Sequence, residues 1–326
     1  SEHDQMLARM ENHYDASLNE HVNRERLATT EETKARDEKR AVMMEKVLKR
    51  VKEHTARLDT TKMREAFTKE NLLSEKNLKR AIREVRKNTV PARDGFTTNY
   101  FSDAKEESWQ QLRALFEEIW EDGLMTEAMR EAVISCVYKQ KGKDKCVPKS
   151  YRPVSITPAV YRILTRAIQN LLEPAVREVI GSSQVAYVSD GRQMRDNTLL
   201  LSELMHMINE GHGVNKGAVA IQVDNASAFD KVRWDFLHRL LEEFGFSKDL
   251  RHIVKVLYED VSFRVKVNGH TGDSRKQTNG IRQGCGASPL LFILVQEALM
   301  ITLREDEELK GIEIDRNEEV LERCAA

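Results

Sequence analysis

Cysteine is scarce in this sequence of 326 residues: four, at positions 136, 146, 285 and 324, with no Cys-x-x-Cys pair among them. So thin a scatter argues against a structural zinc site and against a disulfide framework, and it points to a reduced, intracellular protein. Long apolar runs are missing too. The best, Leu290 to Val295, is stopped by Gln296 and Glu297, well short of the roughly 18 residues a membrane span takes, so no membrane partner is expected. No charged-then-apolar leader opens the chain, which begins at Ser1 and stops at Ala326 as though cut at both ends. An excess of either charge is also lacking, with 52 Lys and Arg against 53 Asp and Glu, for a formal net charge of -1. That balance carries no global nucleic-acid signature, and any basic surface has to be local. Internal repeats and low-complexity tracts are absent.

One local basic stretch is present. Between Lys139 and Arg152, the basic residues Lys139, Lys141, Lys143, Lys145, Lys149 and Arg152 face a single acid, Asp144, which reads either as a phosphate-facing strip or as a solvated charged loop. Upstream, residues 1 to 60 contain neither proline nor glycine and carry dense alternating charge, with Met43, Met44, Val47, Leu48 and Val51 at loose helical spacing. They read as exposed helix, a solvated extension or a partner-binding coil, with no activity assigned. From Thr68, the spacing of Leu72, Leu73, Leu78, Ala81, Ile82 and Val85 predicts one compact helix that Pro91 breaks, and Asp94-Gly95 then marks a turn. Helices are expected over Trp109 to Glu121, Thr126 to Ala132 and Ala159 to Leu172, with a short β-prone segment from Ile134 to Tyr138.

The chemistry-bearing pattern lies further on. Ala218 to Val223 reads as an apolar strand that ends in Asp224 and turns into a helix over Phe229 to Phe244. A metal-binding carboxylate is presented in that way, although an acid capping the following helix explains Asp224 equally well when it is taken alone. Asp230 falls in the first turn of that helix, where a favourable interaction with the helix N-terminus accounts for it. A second helix is expected from Asp249 to Glu259. Val261 to Val267 alternates with period two, and Asn268-Gly269 is the favoured two-residue hairpin turn. The returning strand leads into Gly280-Ile281-Arg282-Gln283-Gly284-Cys285-Gly286-Ala287-Ser288-Pro289. Its glycines permit close backbone approach, and Arg282 and Gln283 carry side chains able to bond phosphate or base edges. His238 and His252 sit on helices without ligand spacing.

Together, the segment around Asp224 and the one from Gly280 resemble the first and second palm motifs of a reverse transcriptase, most closely the LINE-type enzymes of non-LTR retrotransposons. Other blocks, in order, resemble the same family. Pro91-Ala92-Arg93-Asp94-Gly95 is similar to its A-P-G-P-D-G segment, with Ala92 and Arg93 departing from it. Tyr151-Arg152-Pro153-Val154-Ser155 resembles its Y-R-P-I-S signature. Gln184-Val185-Ala186-Tyr187 with Gly191-Arg192 resembles its next block, and Gly286-Ala287 stands where the family usually has Pro-Leu.

The resemblance implies an α+β right-hand polymerase fold: a helical extension (1–60), the N-terminal part of the fingers (61–130), the fingers (131–215) and a palm (216–326) built as an antiparallel sheet backed by helices. It implies two-metal nucleotidyl transfer with Mg²⁺ (or Mn²⁺), an RNA template, a DNA or RNA primer and dNTPs as partners. Asp224 and the backbone carbonyl of Asn225 become metal ligands, and Phe229 a steric gate against the ribose 2′-hydroxyl. Lys141 and Arg152 become triphosphate contacts, with Lys139 and Lys143 as alternatives to Lys141. Gln283 and Gly284 meet the nascent pair, and Arg282 and Ser288 touch nucleic acid. A retroelement ribonucleoprotein in the cytoplasm, the nucleus or both is the expected setting. Two rival readings stay open, a non-catalytic RNA-binding remnant and a group II intron-like reverse transcriptase. The family's third motif, Ala-Asp-Asp, is not in the sequence; counted from Gly311-Ile312 it falls just after Ala326, so the chain as given is expected to be inactive.

Overall fold

The computed structural model describes residues 2–19, 31–103, 107–139, 142–188, 191–210, 219–225 and 227–309. Two long helices open the chain, α1 (Glu2–Leu18) and α2 (Glu31–Thr55). Neither is the solvated extension expected from the charge pattern. Met10, Tyr14 and Leu18 of α1, and Leu48 and Val51 of α2, are buried, because a narrow apolar stripe is enough to seat a helix whose other faces are charged.

The segment from Thr68 is two helices rather than one. Thr68 and Ser74 each accept from a backbone N–H three residues on, so the chain restarts at each cap. After α3 (Thr61–Ala66) this gives α4 (Lys69–Leu72) and α5 (Glu75–Glu84). Then follow α6 (Thr98–Asp103), α7 (Glu107–Asp122) and a single turn, α8 (Glu127–Arg130). The helix expected through Ala132 stops there, since Glu131 onward is taken into β1 (Glu131–Tyr138).

β1 pairs antiparallel with β2 (Tyr151–Ile156) and parallel with β3 (Ser262–Val267). β4 (His270–Thr271) returns from β3 through Asn268-Gly269, and β5 (Arg275–Lys276) also pairs with β3. The expected hairpin is therefore formed. Strand alternation divides this sheet into two faces. Ile134, Phe263 and Val265 lie under Met10, Tyr14 and Leu18 of α1. Arg152, Val154 and Val137 stand exposed on the other face. The remaining helices, α9 (Ala159–Arg177), α10 (Met194–Glu210), α11 (Trp234–Glu243), α12 (Lys248–Tyr258) and α13 (Ser288–Arg304), follow in order. One apolar core runs from Leu48 through α5, α9, α11 and α12 to Ile301 on α13.

The strand expected over Ala218 to Val223 is not formed. Ala218 lies outside the described residues, and Val219, Ile221 and Val223 are 75%, 82% and 75% exposed with no strand pairing. A strand exists only through its neighbours, and among the described residues no segment lies alongside this one to take up its N–H and C=O groups. The antiparallel palm sheet is thus not present in the described residues, and the sheet that forms joins the fingers strands to the 262–276 hairpin.

Candidate functional site

Segments far apart in sequence meet here through backbone hydrogen bonds. After Asp224 the chain turns at Ser227, which takes the left-handed conformation (φ 55°), and enters a 3-10 turn, Phe229–Lys231. The helix expected from Phe229 begins only at Trp234. The loop at 279–284 lies against that turn: the Gly280 N–H donates to the Val232 carbonyl at 2.8 Å and the Ile281 N–H to the Phe229 carbonyl at 2.9 Å. A Cβ on Gly280 (φ 81°) would meet the Asp230 carbonyl oxygen at 2.7 Å, so the contact requires glycine. The Trp234 indole N–H donates to the Gly280 carbonyl at 2.8 Å, tying α11 to the same junction. On the far side of the loop, the Ser155 N–H of β2 donates to the Gln283 carbonyl at 2.8 Å. Gly284 (φ 120°) would place a Cβ 2.7 Å from the Ser155 carbonyl oxygen, again with no room for a side chain.

At the centre of this junction is Asp230, only 7% exposed. Its Oδ1 accepts from Gln283 Nε2 at 3.2 Å, and its backbone carbonyl accepts from Asn279 Nδ2 at 3.4 Å. Burial pushes its carboxyl up to about 6, against the opposing pull of the Gln283 hydrogen bond and the charge of Lys139.

Residues 138–314 match the family described as reverse transcriptase (RNA-dependent DNA polymerase), a span that holds β2, the turn after Asp224 and the 279–284 loop. The chain belongs to the reverse transcriptase family. Over 228 residues it is 28% identical to the transposon TX1 uncharacterized 149 kDa protein of Xenopus laevis, covering 70% of this chain and 17% of that one. It is also 28% identical over 228 residues to the retrovirus-related Pol polyprotein from type-1 retrotransposable element R2 of Nasonia vitripennis, covering 69% and 21%. The RNA-directed DNA polymerase from mobile element jockey of Drosophila melanogaster is 26% identical over 189 residues, covering 57% and 20%. These relatives bear out the LINE-type resemblance, and the chain spans about a fifth of their length.

Within this reverse transcriptase framework the expected site residues are placed unequally. Asp224 and Asn225 are exposed at the end of the unpaired 219–225 segment. Asn225 borders a groove shared with Met43 of α2 and Phe292 of α13. Reverse transcriptases use divalent metal ions, but the described residues do not by themselves fit a two-ion site. Among them no group of three or more His, Cys, Asp and Glu converges. Phe229 is half-buried and stacked on Phe292 (centroids 4.9 Å apart, planes at 17°), so the core holds one face of the ring. Arg152 is exposed on the open sheet face. Lys141 lies outside the described residues. Of its alternatives, Lys139 is engaged, its Nζ donating to the Lys149 carbonyl at 2.8 Å, while Lys143 is exposed. Gln283 is half-buried and Gly284 exposed at the junction.

Two side chains expected to touch nucleic acid lie buried. Arg282 is 2% exposed: its guanidinium donates to the Met129 carbonyl at 2.9 Å and to the Arg130 carbonyl, and lies over the Tyr161 ring at 5.1 Å. It satisfies C-terminal carbonyls of α8. Ser288 is 0% exposed at the start of α13, where Pro289 fixes the first turn against the core. Asp230 is the residue the sequence undervalued. Its place between Phe229 and Val232 in an apolar turn was the available signal.

Proposed function

We propose that this chain forms the fingers and part of the palm of an RNA-directed DNA polymerase, which adds deoxynucleotides from dNTPs to the 3′-hydroxyl of a DNA or RNA primer on an RNA template. The observation that carries the reading is the three-way junction of β2, the turn after Asp224 and the 279–284 loop. It brings together the backbones of β2, the Phe229 turn and the Gln283 loop, although they are scattered over more than a hundred positions from Arg152 to Gly284, with the Arg152 side chain on the sheet face opposite α1. In this reading Asp224 and the Asn225 carbonyl would hold a divalent ion, Mg²⁺ or Mn²⁺, together with groups outside the described residues, and Arg152 would meet the triphosphate with a charge-assisted hydrogen bond. Phe229, held from behind by Phe292, limits the space available at the ribose 2′ position. The setting is a retroelement ribonucleoprotein inside the cell.

The test is primer extension by the complete enzyme that contains this segment, with an RNA template, dNTPs and Mg²⁺. Asp224→Ala is expected to reduce synthesis at least about a hundredfold, the scale of losing a group that acts on charge in the transition state, with the far-ultraviolet circular dichroism unchanged. Extension by Asp224→Ala near the wild-type rate would remove the metal assignment.

A further inference from the structure

Asp230 carries an energetic cost that the fold alone does not explain. It is buried, yet among the described residues its carboxylate has no ion-pair partner and takes a hydrogen bond from a neutral amide, Gln283 Nε2 at 3.2 Å. Burying a charge without a counter-charge is expensive, and such costs persist where they serve a site. Tyr14 and Leu18 of α1 close the space around Asp230 and Gln283 from one side, and Pro153 and Ser155 of β2 from another. Asp230 is thereby enclosed between α1 and the sheet, while Gln283 stays half-buried.

We infer that Asp230 is a positioning residue, whose carboxylate fixes the orientation of the Gln283 side-chain amide at the junction of the two palm segments. The chemistry is one-sided. An ionised carboxylate only accepts hydrogen bonds, so it demands the NH₂ end of Gln283 and leaves the carbonyl oxygen of that amide as the end free to meet a donor. An amide without such a partner has two nearly isosteric orientations. At neutral pH Asp230 is ionised even though burial raises its carboxyl to about 6. Through Gln283, the residue presents an acceptor oxygen toward a donor group of the nucleotide. This rests on the polymerase reading above and on the expected contact of Gln283 with the nascent pair.

Two measurements separate the inference from that reading. The first needs no activity. In the ¹⁵N spectrum of this chain, the Gln283 side-chain NH₂ pair, assigned by its loss in Gln283→Ala, is expected at shifted positions. It should move toward free-amide values in Asp230→Leu and only partly so in Asp230→Asn, which keeps an acceptor oxygen. An NH₂ pair unmoved by Asp230→Leu would overturn the inference. The second uses the complete enzyme on poly(rA) primed with oligo(dT). Asp230→Leu should raise the KM for dTTP about tenfold with kcat within about twofold, the pattern of lost substrate positioning, and should add nothing in a Gln283→Ala background. A full additional tenfold in that background would show that Asp230 acts independently of Gln283 and would overturn the inference. Absence of extension by the wild-type enzyme would remove the polymerase reading while the spectrum still decides on the pair.

Discussion

A carboxylate that is easier to protonate in the folded chain than in water makes the fold pH-dependent in an unusual direction. Asp230 has its carboxyl raised to about 6 by burial, against an ordinary value of 3.8. Between those two values the native state binds more protons than the unfolded one, so stability is greatest below the unfolded value and falls as pH rises through the folded value. The effect is on the order of 3 kcal/mol once pH is above both. Asp230→Asn removes the titration, and we expect it to raise the thermal midpoint at pH 8 and leave it nearly unchanged at pH 4. Melts that shift equally at both pH values would show that the burial of Asp230 is relieved in some other way. Arg282 makes the opposite point at the same scale. Its guanidinium is held by two carbonyls and an aromatic face within the fold.

Among the elements, α1 matters most to the site, because it closes one face of the sheet and reaches the Asp230–Gln283 pair with its last two turns. Its hold is aromatic and aliphatic: Met10, Tyr14 and Leu18 pack on Ile134, Phe263 and Val265. Glu11 and Asp15 flank them and pair with Arg275 of β5. Removing a buried aromatic leaves a cavity, and such changes cost about 3 to 5 kcal/mol. We expect Tyr14→Ala to lower stability by that amount in urea unfolding, and Tyr14→Phe, which keeps the ring, by less than about 1 kcal/mol. A near-neutral Tyr14→Ala would mean that α1 is not seated on the sheet in solution. The partly exposed pairs of Arg275 with Glu11 and Asp15 contribute far less, as surface ion pairs do.

On the scale of the whole molecule, the core passes through parts of the chain that charge patterning alone would separate. Leu48 and Val51 of α2 belong to the same buried cluster as Leu237 of α11 and Ile301 of α13. Arg50 reinforces the contact by donating to the Thr302 carbonyl at 2.7 Å near the end of α13. A cluster shared in this way unfolds as a unit. We expect urea unfolding followed by tryptophan fluorescence and by circular dichroism to coincide, and Leu48→Ala to shift both by about 2 to 5 kcal/mol. An early transition confined to helical signal, with fluorescence untouched, would show α2 detaching from the rest.

The sequence by itself determined the local pieces and the family. Asn268-Gly269 specifies its hairpin turn and Ala159 onward its helix, since turn chemistry and apolar period act over a few residues and need no distant partner. The ordered blocks from Pro91 to Pro289 were enough to place the chain among reverse transcriptases. Only the tertiary structure decided which polar side chains face inward. Arg282 and Asp230 lie in segments whose pattern suits either solvent or ligand, and what settled them was the arrival of α8 over one and of Gln283 and α1 over the other. The strand before Asp224 marks the same limit from the other side. Its alternating apolar residues have the right period, but a strand is completed by hydrogen bonds to a neighbour, and local sequence does not supply one.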